Sequence, residues 1–547
     1  MNEGIHEYDK SQVLQYLKDL DLRISRLETR IGVKGYSIGE SGHSDTIEDR
    51  STITKASADE SFGENWFANL AIIVFSIFFT YFIIKPYEGT NQFFPPLIGL
   101  IISVGIISVS KFILKSFSVI SRSFYGIGFL LLYISFLRLF HFSSSPALNN
   151  ELFESILLLG FSSLTVYVAI RKKSNTLSIL GVILLSTTSL LINIALIHFL
   201  LLTLISLLII YCYLKLSFTS ATYLAACIFV VYFAFAVWTI NNPIVGNNIE
   251  IVKSPLISFY FLLFYMVLFA YGFLGKQKEE SSEDLKSIIS YINALTCFII
   301  FVPFAFFGFR SSAVLLYLSF SVVSLSVAVL YWRQTKSKYS TYIYALLSFV
   351  ALSLAIIAAI KLPTAFIPLI WQSLIVIVFA IWFNSKGIVV SNFVMFILIF
   401  TAYLLTSQSF SLIGLSFGAI ALISARLLNW QKKRLTLKTE MMRNIYLIIA
   451  FLSIPFTMIK SLPENYVGLS LILLSSIYYV LSAVLSNIKY RWMAHFTLLG
   501  TMIYVLIFLL GSLDNTFQVI TLLTLTIALI SVSIFFNKMK INAKKTN

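Results

Sequence analysis

Charge is what this chain has least of. Only 12% of its 547 residues are Asp, Glu, Lys or Arg, about half of what a soluble domain carries on its surface. A water-exposed surface of that mass cannot be coated with so few charges, which excludes a soluble enzyme and a disordered chain alike. Acid is scarcer still. Only 11 Asp and Glu follow Glu64, and all fall in the loops between apolar runs or at their ends. Proton- and sodium-coupled carriers usually keep a carboxylate within the bilayer, so an ion-coupled pump of the common type is disfavoured. Unwound backbone carbonyls remain a second way to hold sodium. Cysteine is rare: Cys212, Cys227 and Cys297 sit inside apolar runs without CxxC spacing and read as small core residues, implying neither metal nor disulfide. There is no HExxH, no His/Cys cluster, no P-loop GxxxxGK[ST] and no GxSxG elbow. No cofactor and no metal are expected.

What is abundant is apolar. Hydrophobic residues make up 58% of the chain, aromatics 16%, and the mean hydropathy is +0.88. From Trp66 onward the apolar residues form runs near the ~20 needed to cross a bilayer. Eighteen can be counted, at 66–84, 95–114, 121–140, 153–170, 176–193, 196–214, 218–240, 255–275, 287–308, 311–332, 340–360, 364–383, 388–406, 409–428, 443–459, 466–486, 490–511 and 516–537. The fold class expected is all-α: a polytopic helical integral membrane protein of about 18 spans, with a short N-terminal coiled-coil helix. Its divisions are an amphipathic or coiled-coil helix (1–31), a polar linker (32–65), the membrane domain (66–537) and a basic tail (538–547).

The net charge of +16 is not a nucleic-acid footprint. Residues 1–65 hold 8 Lys and Arg against 13 Asp and Glu, and the remainder holds 32 against 11. With the N-terminus placed inside, alternate loops divide those 32 cations 26 to 6. The cytoplasmic excess is what the positive-inside rule produces, and a miscounted span near the middle would scramble it. Both termini in the cytoplasm, in a bacterial inner membrane, is the resulting expectation. Membrane lipids are the expected partners, and nucleic acid is not one.

The N-terminus lacks the cationic start and apolar stretch of a signal peptide. Instead Val13, Leu17, Leu20, Ile24, Leu27 and Ile31 alternate at steps of 4 and 3, a heptad seam ended by Gly32. Self-association or capture of a cytoplasmic partner is one reading; a single amphipathic helix lying on the membrane is the other.

The order of features resembles a known one. After the coiled coil and linker, Glu64-Asn65-Trp66 opens the train of spans, Lys111 and Lys115 close one, Gly126-Ile127-Gly128 begins another, and RKKSNTLSILGVILLSTTSLL occupies 171–191. Over residues 11 to about 195 this is similar to the bacterial membrane-protein family catalogued as domain of unknown function 2339. The chain is richer in Phe and Ile and poorer in Ala and Gly than that family. The resemblance implies a many-span fold and a membrane location. It carries no activity.

One set of residues invites a chemical reading. Arg138, His141, His198, Arg310 and Lys361 all fall at the expected outer-headgroup depth, where they could hold a phosphate or pyrophosphate. A membrane enzyme passing glycans from a lipid-linked carrier would use such groups. Ordinary snorkelling of long cations to lipid phosphates explains the same positions and is weighted more heavily. Glu151 and Glu154, one turn apart at a helix start, are favoured there by the helix dipole without any catalytic role. Asn293, Gln372 and Asn392 are intramembrane amides, and Pro303, Pro368 and Pro455 interrupt spans; a polar path is possible chemistry, but interhelical packing is the simpler account. Gly414 and Gly418 form a GxxxG for close helix approach, and His495 reads as a packing histidine. The favoured function is binding or moving lipid-like or envelope-precursor molecules, without coupling through an intramembrane carboxylate. A glycan-transferring enzyme and a scaffold using the coiled coil are the alternatives.

Overall fold

A computed structural model of the protein describes residues 68–85, 91–113, 118–142, 146–192, 194–216, 218–241, 256–274, 283–308, 312–334, 337–406, 412–431, 439–509 and 515–546. The coiled-coil seam Val13 to Ile31 and the linker lie outside the described residues. The chain divides into two compact units, residues 1–78 and 79–547, and of the first only the start of one helix is described.

The described chain is helical, with eighteen α-helices and no strand among the described residues. They are α1 Ala68–Ile84, α2 Phe94–Ile113, α3 Ser118–Arg138, α4 Glu151–Arg171, α5 Asn175–Leu191 and α6 Ala195–Lys215. Then come α7 Ala221–Asn241, α8 Leu256–Gly272, α9 Glu283–Pro303, α10 Ala313–Gln334, α11 Lys338–Ala359 and α12 Phe366–Trp382. Last are α13 Lys386–Thr406, α14 Leu412–Trp430, α15 Glu440–Ser461, α16 Glu464–Leu485, α17 Ile488–Tyr504 and α18 Asn515–Thr546. Each expected span meets one helix. Eleven helices are long and apolar enough to cross a membrane by length and composition. Single π-turns follow α9, at Phe304–Gly308 directly after Pro303, and α17, at Val505–Leu509. A proline lacks the amide that would continue the regular ladder, which accounts for the first.

The distribution of polarity is that of a protein dissolved in lipid. Ile101, Phe112, Ile299, Phe307, Val322 and Leu405 are large, apolar and exposed, while Ser103, Ser162, Ser206, Ser324, Thr457 and Ser475 are buried. Apolar side chains face outward at no cost in hydrocarbon, so the hydrophobic effect does not hold the helices together; packing and hydrogen bonds do. Polar groups accordingly meet between helices. Ser110 Oγ donates to Ser121 O at 2.8 Å and Ser121 Oγ returns the bond to Ser110 O at 2.7 Å, clasping α2 to α3. Ser348 Oγ donates to Ser321 O across α11 and α10 at 2.7 Å.

Tyrosines do the same work over longer reach. Tyr265 donates from α8 to Phe199 O on α6 at 2.8 Å, and Tyr331 from α10 to Ala270 O on α8 at 3.0 Å. The expected GxxxG is a packing device. A Cβ on Gly414 would overlap Thr457, and one on Gly418 would overlap Ile454, so α14 lies against α15 at a distance only glycine permits. Cys212, Cys227 and Cys297 are buried free thiols, as core residues should be.

Candidate functional site

Four of the five cationic groups singled out by sequence lie among the described residues. Arg138 ends α3 and is only 3% exposed. Its Nε donates to Ile83 O at 3.2 Å and its Nη1 to His141 O at 3.1 Å. The guanidinium therefore satisfies carbonyls at the ends of two helices, groups that a helix C-terminus leaves without partners. His141 lies near Arg138 through its backbone, while its imidazole turns to α4. There Nε2 meets Glu154 Oε1 at 2.6 Å. Glu154, buried in the first turn of α4, has a partner of its own and the N-terminal dipole besides.

His198 is fully buried near the start of α6. Its ring stacks on Trp238 at a centroid distance of 4.9 Å and 13° between planes. Nδ1 lies 2.9 Å from Ser189 O, and because a carbonyl only accepts, Nδ1 carries the proton. Nε2 is left as a buried acceptor without a hydrogen-bond partner, which is the wrong polarity for an anion. Lys361 is exposed after α11 and bonds neither Arg138 nor His141. Arg310 lies outside the described residues. Arg138 and His141 come together, and both are engaged with protein.

The intramembrane amides are interhelical locks. Asn293 on α9 gives both amide hydrogens away, to Met266 O at 3.0 Å and Tyr344 OH at 2.8 Å, and its Oδ1 accepts from Tyr232 OH at 2.6 Å. Gln372 Nε2 on α12 donates to Phe349 O on α11 at 2.7 Å, and Ser353 Oγ donates to Gln372 Oε1 at 3.2 Å. Asn392 Nδ2 on α13 donates to Ser373 Oγ at 3.0 Å. A space of about 40 Å³ remains between α11, α12 and α13, beside Ser353, Gln372 and Asn392. It is large enough for water and too small for an organic substrate.

A roomier space lies elsewhere, between α16, α17 and α18. It encloses about 490 Å³ and is lined mainly by apolar side chains such as Ile472, Val480, Leu498 and Ile527. Ser475, Ser476, Ser482, Thr524 and Ser531 add hydroxyls, and Arg491 stands in the lining beside the α16–α17 turn. From Ile472 to Ala483 the lining runs along α16 for ~16 Å at 1.5 Å per residue. Arg491 makes no hydrogen bond or ion pair among the described residues. Tyr479 forms part of the wall and is held by the 2.5 Å contact of its hydroxyl with His495 Nδ1. Trp492 packs edge-on against the same imidazole, so His495 has the packing role expected of it.

Sequence reasoning missed this site because Arg491 reads there as one more loop cation. A pointer was available in the serines of SLILLSSIYYVLSAVLS over 470–486, which recur at Ser475, Ser476 and Ser482 in a segment otherwise apolar. Among the described residues no three of His, Cys, Asp or Glu gather to hold a metal ion. Comparison of the chain with protein-family models, with curated proteins and with solved structures returns no match.

Proposed function

We propose that this multi-pass membrane protein binds and moves lipid-like molecules, and that the space between α16, α17 and α18 is where such a molecule sits. One observation carries the reading: an apolar lining about 16 Å long along α16 ends at an arginine that makes no ion pair or hydrogen bond among the described residues. An acyl or polyprenyl chain fits the first part and an anionic headgroup the second. A volume of about 490 Å³ is in the range of small-molecule sites. The serine and threonine hydroxyls suit glycerol or sugar oxygens.

The same reading places both termini in the cytoplasm of a bacterium, with the N-terminal heptad segment as a handle for self-association or a cytoplasmic partner. The 26-to-6 division of loop cations supports that orientation. Membership of the family named above belongs to the proposal and adds location rather than chemistry. An outer-face transferase draws no support from Arg138 and His141, whose polar groups are spent on Ile83 and Glu154.

The test is lipid binding by the purified full chain in a neutral detergent. Anionic lipids should raise the unfolding temperature more than zwitterionic ones of the same chain length. Arg491→Gln should remove that preference, and Ala528→Trp, which fills the space, should remove binding altogether. Wild-type behaviour from both variants sinks the reading.

A further inference from the structure

A second cavity carries a different chemistry. It lies where α4 and α6 end and α5 begins, encloses about 280 Å³, and is lined by Ile170, Lys173, Asn175, Lys215, Leu216 and Phe218. We propose that this cavity is a binding site for a phosphoryl group, held between the Lys173 and Lys215 ammonium groups with the Asn175 amide beside them. The site is separate from the one between α16 and α18 and does not depend on it.

The charge in the cavity is uncompensated. Two lysines line it and no carboxylate does. Neither ammonium group forms a hydrogen bond or ion pair among the described residues. Two like charges facing one space repel, and an anion carrying more than one negative charge relieves that repulsion best. Phosphate monoesters carry about −1.5 to −2 at neutral pH, and phosphodiesters carry one charge with two strong acceptor oxygens.

Ordinary snorkelling does not account for the arrangement, because neighbouring cations of the same run behave differently. The Arg171 guanidinium donates from Nε to Tyr167 OH at 3.0 Å and lies 5.4 Å above that ring. Lys172 Nζ sits 3.4 Å from the centre of the Tyr125 ring. Both are held by protein aromatics. Lys173, next in the chain, is turned to the cavity instead.

Lys173 has φ 48°, in the left-handed region. It closes α4 there, with Lys173 N donating to Ile170 O and Ser174 N to Ala169 O, each at 3.1 Å. That closing position normally holds glycine, which adopts the angle without steric cost. Phe218, buried, adds an apolar side chain to the lining beside the two exposed lysines.

A lipid headgroup and a soluble phosphate share this chemistry, and two arms separate them. The full-length protein in neutral detergent is titrated with phosphatidylglycerol in one arm and with inorganic phosphate in the other, reading unfolding temperature and, for lipid, retained adducts by native mass spectrometry. Wild type should bind in at least one arm. Lys173→Gln with Lys215→Gln should weaken that binding at least tenfold, while Lys172→Gln should stay within twofold of wild type. Binding by lipid alone identifies a headgroup site. Competition by inorganic phosphate identifies a soluble phosphate compound.

Lys173→Gly separates fold from site: relief of the left-handed angle should raise the ligand-free unfolding temperature while phosphoryl binding weakens. Equal binding by wild type and the double variant in both arms overturns the assignment, as does absence of binding in both. Failure here leaves the Arg491 variants unaffected, so the two sites are judged separately.

Discussion

Asn293 offers the sharpest test of what polar residues do inside this protein. Replacing it with leucine keeps the branching and number of side-chain heavy atoms and removes three hydrogen bonds at once. Those bonds tie α9 to Tyr232 on α7, Met266 on α8 and Tyr344 on α11. An interhelical hydrogen bond inside a membrane protein is worth about 0.6 kcal/mol on average and at most about 1.7. Three average bonds give about 2 kcal/mol. Asn293 is 1% exposed, so the stranded tyrosine hydroxyls and the Met266 carbonyl find no water, and each unsatisfied group adds to the cost. Asn293→Leu should therefore destabilise the protein by about 2–4 kcal/mol, read by titration of detergent-solubilised protein with a denaturing surfactant. A double-mutant cycle with Tyr344→Phe should return a coupling of about 0.6–1.7 kcal/mol for the 2.8 Å bond. Lipid binding per folded molecule should not change. A loss under about 0.5 kcal/mol, or reduced binding with stability intact, would refute the lock and return Asn293 to a polar path.

Other outcomes follow from the same geometry. Arg138→Met strands the Ile83 and His141 carbonyls and should cost about 2–4 kcal/mol of stability with lipid binding per folded molecule unchanged, because charged hydrogen bonds are worth about 1.5–3 kcal/mol each. His141→Ala removes a half-exposed side chain but strands the buried Glu154 carboxylate and should cost about 1–3 kcal/mol. Gly414→Ala and Gly418→Ala drive a methyl into Thr457 and Ile454 and should each cost about 1–3 kcal/mol, whereas Gly500→Ala, with nothing near its Cβ, should be neutral or slightly stabilising in the same unfolding assay. His198→Phe keeps the stack on Trp238, loses the bond to Ser189 O and removes the orphaned Nε2; the two effects oppose, so the change should lie within about 1 kcal/mol.

The helices were legible in the sequence for a physical reason that also hid the site. Hydrocarbon forces every backbone amide into a helix and every span into one apolar run, so composition alone marks where a helix lies. The run at 364–383, for instance, meets α12 Phe366–Trp382 within two residues at each end. Nothing in such a run says which way the helix is rotated, because lipid and protein interior accept the same side chains. Arg138, Lys173 and Arg491 look alike along the chain: each is a cation at the end of an apolar run. In three dimensions Arg138 is consumed by Ile83 and His141 carbonyls, while the Lys173 and Arg491 side chains line cavities with no hydrogen bond or ion pair among the described residues. The difference is set by which neighbour each helix turns its polar edge toward, a property of the packed bundle. Acid follows the same rule. Glu154, at the helix start expected of it, is buried in the first turn of α4 and matched to His141. A charge matched by protein holds two elements together; a cation left unmatched beside an apolar wall is available to a molecule that brings its own anion. That distinction, rather than depth in the membrane, separates Arg138 from the Arg491 and Lys173 proposed as ligand contacts.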